Sequence, residues 1–218
     1  MYQLVFKKSK SMSLTSTISD VIYQDMKESI IKRKLRPNQR IRIREIARFL
    51  GVSQSPVRDA IQRLAAEKFV TIAARSEVKI VDVGVEESRK ILEFIRILDT
   101  GCIEKVIQTL SKKVLGELKE MTAKLGEYYE AKDIENFIEK NQRIHLKIWK
   151  AYGNEYIYNA LLKAMERMQM VESRYISYFT DSNYLRLSWE DHQKLIESIE
   201  QKDVPTAKKI LSFHWSYR

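Results

Sequence analysis

The sequence predicts a mainly α protein in two parts: three helices with a β-hairpin, followed by an antiparallel bundle built only of helices. Three observations carry this expectation. Glycine (6) and proline (3) are scarce among 218 residues, and Leu, Ile, Lys and Glu are abundant, a balance that favours helix. Apolar residues recur at helical spacing almost throughout and change to a strand-like pattern only over residues 70–83. Charge is also divided unevenly. Residues 1–80 hold 17 Lys+Arg against 7 Asp+Glu, whereas residues 81–218 hold 22 of each. The whole net charge of +10 therefore rests on the first part, and a localised basic excess on a small domain is the footprint of a polyanion binder.

Residues 1–17, with Lys7, Lys8 and Lys10, read as a disordered arm. A first helix is expected over about 19–34, with Val21, Ile22, Met26, Ile30 and Ile31 on its apolar face, and Pro37-Asn38 make a turn after it. A second helix is expected over 43–50 and closed by Gly51. A third starts at Ser53 and runs to about residue 68. Val70, Ile72, Val78, Ile80 and Val81 suggest two short strands around a turn at 74–77, and this first domain closes at residue 83. Residues 84–218 form the second domain, about six helices with breaks near Ser111, near Asp133, at Gly153-Asn154, around 180–183 and at 203–205. No run of 18 apolar residues suggests a membrane span, the N-terminus lacks the pattern of a secretory signal, and the single cysteine, Cys102, fits a reducing compartment. The expectation is a cytoplasmic protein without a membrane partner.

The stretch from Ile43 to Leu64 has the layout of a helix-turn-helix that reads DNA. Ala47 is small where two helices approach, Gly51 permits the tight turn, and Val52, Val57, Ile61 and Leu64 face the core. Ser53 stands where it can cap the third helix, and Pro56 lies in its first turn, where a missing N–H costs little. Gln54, Ser55 and Arg58 then project from the end of the helix that enters a major groove, and the two strands form a wing beside it. The run Val52-Ser53-x-x-Pro56-Val57-Arg58-x-Ala60, with Arg44-Glu45-Ile46-Ala47 upstream, resembles the GntR family of bacterial regulators. The resemblance covers about residues 18–83. It implies a winged helix-turn-helix that binds double-stranded operator DNA, with contacts from Arg44, Ser53, Gln54, Ser55 and Arg58. Gln54 departs from the Arg usual at its position, which suggests adenine in place of guanine there. Lys68 and Glu77 stand where the family has glycine. Glu77 brings negative charge near phosphates, so Arg75 and Lys79 are the better wing candidates.

The chain has three histidines, His145, His192 and His214, each in an expected helix. A turn at 203–205 would make its flanking helices antiparallel and bring His192 and His214 to one end of the pair. The runs Asn141-x-x-Ile144-His145 with Gly153-Asn154, Asp191-His192, and the late His214 resemble the FCD effector domain of the FadR-like branch, over about residues 88–218. That resemblance implies a dimerising helical bundle that binds a small molecule, with a divalent metal held by one Asp and three His. Asn141 replaces the Asp. Three imidazoles and a weak amide ligand suit Zn²⁺ or Ni²⁺ better than hard cations, and an open position could accept a carboxylate. Arg96 matches a position that often lines the effector pocket, where it could clamp an acid. The resulting expectation is a non-enzymatic, homodimeric transcriptional repressor controlled by a carboxylate near a metal. Two rivals are a metal-ion sensor and a metal-dependent hydrolase or lyase with a DNA-binding head.

Overall fold

A computed structural model of the chain describes residues 6, 16–73, 77–172 and 183–216. It divides into two compact units: Met1–Gly84 with Gln169–Arg174, and Val85–Met168 with Tyr175–Arg218. The head contains α1 (Ile18–Ile31), β1 (Arg40–Ile41), α2 (Ile43–Leu50), α3 (Gln54–Ala66), β2 (Val70–Ala73) and β3 (Glu77–Ile80). The body begins with α4 (Val85–Thr109), α5 (Lys112–Glu130), α6 (Ile134–Tyr152) and the greater part of α7 (Glu155–Glu172), as far as Met168. It continues with α8 (Tyr184–Glu200) and α9 (Val204–His214).

In the head, α1 and α2 pack on α3, whose Val57, Ala60, Ile61 and Leu64 are buried. Thr17 opens α1 with a capping box: its hydroxyl accepts from the Asp20 N–H while the Asp20 carboxylate accepts from the Thr17 N–H. Asp20 also pairs with Arg63 of α3 at 2.6 Å, and the Arg63 guanidinium lies 4.1 Å from the Tyr23 ring centroid. The Tyr23 hydroxyl in turn donates to Glu67 at 2.7 Å. These contacts fix the roll of α3 about its axis. Gly51 ends α2 with φ 68°, the left-handed conformation the turn requires.

Three expectations for the head change. The arm over 1–17 is in part ordered: Phe6 is buried with its ring 6.2 Å from that of Phe49, and Thr17 caps α1. The rest of the arm lies outside the described residues. The hairpin gains a third strand, giving the antiparallel order β1-β3-β2 with Arg40 opposite Lys79 and Val70 opposite Ile80. At two residues, β1 is too short to leave a periodic signal. Ser53 occupies the N-cap position of α3, but its side chain makes no capping hydrogen bond.

In the body, α4 packs against α6 and α9, α6 against α5, α5 against α8, and α8 against α9, so five helices close a ring. The short connections make sequential neighbours antiparallel. Ser111, Asp133 and Asp203 each cap the following helix by accepting from its first-turn N–H, so the breaks expected from the sequence coincide with caps. The break expected around 180–183 lies largely outside the described residues. Close packing is visible at Gly126 of α5, where a Cβ would come within 2.8 Å of the Trp189 indole of α8.

Two substitutions test this packing. Gly126→Ala is expected to destabilise the body by about 1–3 kcal/mol through overpacking against Trp189; tryptophan-detected thermal unfolding measures it. Lys68 holds φ 61°, a left-handed conformation costly for a side chain. Lys68→Gly should therefore raise the stability of the head by about 1 kcal/mol, read by chemical denaturation.

Candidate DNA-reading face and histidine centre

On the head, Arg44, Ser53, Ser55 and Arg58 are exposed and Gln54 is half-buried, all around the leading end of α3 and the start of α2. Among the described residues, Arg44 and Arg58 make no hydrogen bond or ion pair. Arg63, five residues further along α3, is tied to Asp20 and Tyr23. The fold thus leaves one α3 arginine unpaired and makes the other structural. Glu77 pairs with both Arg40 and Lys79, and the hydrogen bond from Lys79, with the Arg40 charge beside it, holds the Glu77 carboxyl below its ordinary range. Lys79 is thereby internally compensated, and Arg75 lies outside the described residues.

In the body, the three histidines converge. His145 comes from α6, His192 from α8 and His214 from the last residue of α9. The Nε2 atom of His145 is 3.1 Å from Nε2 of His192 and 3.1 Å from Nε2 of His214. The rings of His192 and His214 are perpendicular with centroids 4.7 Å apart. The turn before α9 therefore does bring these two to one end of the helix pair.

Each Nδ1 faces an oxygen. His192 Nδ1 donates to the Ser188 carbonyl at 2.6 Å, and His214 Nδ1 lies 3.3 Å from Asp191 Oδ2. His145 Nδ1 lies 3.5 Å from Asp99 Oδ2, an ionic distance too long for a good hydrogen bond. A carbonyl and a carboxylate can only accept, so the protons of His192 and His214 belong on Nδ1 and their Nε2 lone pairs face His145. Burial, with the like charge a protonated neighbour would add, pushes the affinity of His192 for a proton well below the ordinary value. His145 is lowered as well, again mainly by burial, with Asp99 acting in the other direction. Neutral imidazoles with bare, convergent Nε2 atoms are the form that ligates a metal.

The donor set fits a divalent cation. Each histidine offers a nitrogen, the three nitrogens lie within 4.8 Å of one another, and His145 Nδ1 is a buried polar atom without a hydrogen bond. Two nitrogens each about 2.1 Å from one zinc ion can be no more than about 4.2 Å apart, and 3.1 Å is within that reach. Asn141 shares the His145 face of α6 and is buried, with its Oδ1 accepting from the Ser188 hydroxyl at 3.1 Å. Ser188 thus links Asn141 to His192.

Asp99 of α4 was not legible as part of this centre. It is fully buried and accepts from the Trp149 indole at 2.8 Å and the Trp215 indole at 2.7 Å. The available signal was a carboxylate within the apolar stripe Ile95, Cys102, Ile103 and Val106. Arg96 is half-buried at the margin of that stripe. Cys102, one turn from Asp99, is buried, and burial together with the Asp99 charge pushes its thiol up to about 11. Thr122 Oγ1 and Trp189 Nε1 are buried without partners among the described residues. The first is one helical turn from Gly126, the second 2.9 Å from where its Cβ would stand.

Residues 18–80 match the bacterial regulatory proteins of the gntR family, and residues 90–216 match the FCD domain. The chain belongs to the GntR family and carries an FCD domain. GntR-family proteins are transcriptional regulators, and an FCD domain is a ligand-binding effector domain. Among curated relatives, the HTH-type transcriptional regulator McbR of Escherichia coli is 28% identical over 142 residues, 65% of this chain. That match spans about six-tenths of McbR (62%). The gluconate operon transcriptional repressor of Bacillus subtilis is 25% identical over 177 residues, 79% of this chain and 70% of that protein. Among solved structures, E. coli McbR/YncC superposes with a TM-score of 0.78 at 20% identity, over 92% of this chain and 94% of that one. Lar, which controls expression of the Listeria monocytogenes agr system, gives 0.63 at 22%, over 93% and 95%. No described helix of this GntR-family chain is long and apolar enough to cross a membrane.

The free arginines of the reading face are the ones to test. Arg58→Ala is expected to abolish specific operator binding while leaving the circular dichroism spectrum unchanged. Removing that one phosphate- or base-directed charge should also flatten the dependence of log K on log salt by up to about 1.

Proposed function

We propose that the protein is a homodimeric repressor whose grip on operator DNA is controlled by a carboxylate metabolite bound beside a divalent metal, Zn²⁺ or Ni²⁺, in the helical body. One observation carries the reading: the Nε2 atoms of three histidines from three helices converge, with those of His192 and His214 turning their lone pairs toward His145. His145, His192 and His214 would hold the ion, with Asn141 as a weak fourth ligand. When bound, the ion would supply a positive charge that a metabolite's carboxylate can neutralise.

The chain's own residues do the rest. The Ser188 carbonyl and Asp191 hold His192 and His214 with Nδ1 protonated. Arg96 could pair with the acid of a carboxylate guest. Effector binding shifts operator affinity only to the extent that it favours one state of the protein over another. In the head, Arg44, Gln54, Ser55 and Arg58 meet base edges and phosphates.

A dimer interface is supported by α4. Its outer face carries Phe94 and Ile97, 42% and 61% exposed, in line with Gly101, an apolar strip available to a second copy. Two copies would address half-sites one DNA turn apart, roughly 34–36 Å. Repression is the sign carried by the name of the gluconate operon relative. The enzyme reading has less support: Glu190 is paired with Arg186 and Asp191 with His214, so both acidic candidates for a general base are engaged.

An operator-binding assay tests the proposal. Protein stripped by a chelator should bind operator but no longer respond to a carboxylate panel, and Zn²⁺ or Ni²⁺ should restore the response. A response to the metal alone would favour the ion-sensor reading. His192→Ala is expected to keep apo operator affinity within about twofold of the parent and to weaken the effector response at least ~10-fold. A normal response in that variant would move the effector site elsewhere.

A further inference from the structure

We propose that Asp99 is the fully buried anion of the histidine centre, beside the partly exposed Asp191: a positioning residue one shell out that supplies the negative charge Asn141 lacks. The inference rests on the metal reading above and concerns a residue outside the direct ligand set.

The geometry is specific. Asp99 is 0% exposed, and its two oxygens are held separately, Oδ1 by the Trp149 indole and Oδ2 by the Trp215 indole. Indole N–H groups satisfy hydrogen-bonding capacity but carry no charge. A fully buried carboxylate needs a counter-charge, and leaving one unpaired costs several kcal/mol by order of magnitude. Among the described residues no Lys or Arg pairs with Asp99; its one ion-pair partner is His145, whose Nδ1 faces Oδ2 at 3.5 Å. The opposite nitrogen of the same ring, Nε2, points at the other two histidines. The imidazole of His145 therefore stands between a buried anion and the point where the three Nε2 atoms meet. A cation there would complete a carboxylate–imidazole–cation line, the arrangement in which an outer carboxylate orients a ligating histidine and raises its basicity.

The surroundings tie the same parts together. Trp215 directly follows His214, so the end of α9 delivers both a ligand and a donor to Asp99. Trp149 lies one turn after His145 on α6 and does the same. Two of the three histidines are thus linked to Asp99 through a tryptophan on their own helix. His145 is stacked among these groups, its ring centroid 4.4 Å from that of Trp215. A direct Asp ligand at position 141 would balance a cation from within the coordination sphere; here the described residues place the carboxylate on the far side of His145.

The test is Zn²⁺ titration of chelator-stripped full-length protein by isothermal calorimetry, with apo thermal unfolding run in parallel. The parent is expected to bind one Zn²⁺ per chain. Asp99→Asn should keep that stoichiometry and lose about 10- to 100-fold in affinity. Asn141→Asp in the Asp99→Asn background should recover at least ~10-fold, because it returns a carboxylate one helical turn from His145. Unchanged Zn²⁺ affinity in Asp99→Asn with a lowered apo melting temperature overturns the inference and makes Asp99 purely structural. A loss that Asn141→Asp leaves uncorrected overturns the charge-balancing role. Should Asp99→Asn fail to fold, Trp215→Phe decides: a several-fold loss supports the inference, and an unchanged affinity overturns it. If the parent itself binds no Zn²⁺, the metal reading fails and takes this inference with it; if the parent binds and only the variants disagree, the metal reading stands alone.

Discussion

The body is organised around three imidazoles packed together in its interior: Nε2 of His145 lies 3.1 Å from Nε2 of His192 and 3.1 Å from Nε2 of His214. Neutral rings with Nδ1 protonated cannot satisfy all of these atoms between themselves. The surrounding groups nonetheless hold that arrangement. The Ser188 carbonyl fixes His192, Asp191 faces His214, and Asp99 faces His145. The five-helix ring brings these rings together, because α6, α8 and α9 each contribute one histidine to the interior. Polar groups sequestered in this way favour one arrangement of helices over its alternatives, at a cost in solvation that a bound ion would offset.

The head follows a different rule, one of selective pairing. Most of its exposed charges are matched: Arg63 with Asp20, Arg42 with Glu45, Lys32 with Glu28, and Arg40 and Lys79 with Glu77. Against that background Arg44 and Arg58 are unmatched at the leading end of the reading helix. An arginine without an internal partner loses no ion pair when a phosphate or guanine arrives, whereas a paired one must first give up its carboxylate. In the wing, Glu77 stands between two cations, Arg40 and Lys79.

Much of this was legible in the sequence, and what was not has a physical reason. The second helix was readable to the residue because Gly51 marks its end and its apolar positions are periodic. Body helices begin at the breaks expected near Ser111, near Asp133 and at 203–205, where the structure adds side-chain caps. The histidine cluster was foreseeable as far as His192 and His214, since a turn between antiparallel helices places them at the same end; His145 joined through family resemblance. Asp99 escaped because a single acidic residue is ordinarily solvated, and only its tryptophan partners, 50 and 116 residues away in the chain, make its burial tolerable. The compensation of Glu77 escaped for a similar reason: Arg40 meets it only because β1 pairs with β3.

The state of Cys102 carries a consequence for the kinds of signal this protein can receive. Peroxide and disulfide chemistry require the sulfur as an accessible anion, and here the chain's one sulfhydryl is enclosed and keeps its proton until pH about 11. It is passivated toward oxidants at cellular pH, even though it sits one turn from the most unusual charge in the interior. Redox stress therefore has no direct entry through this residue.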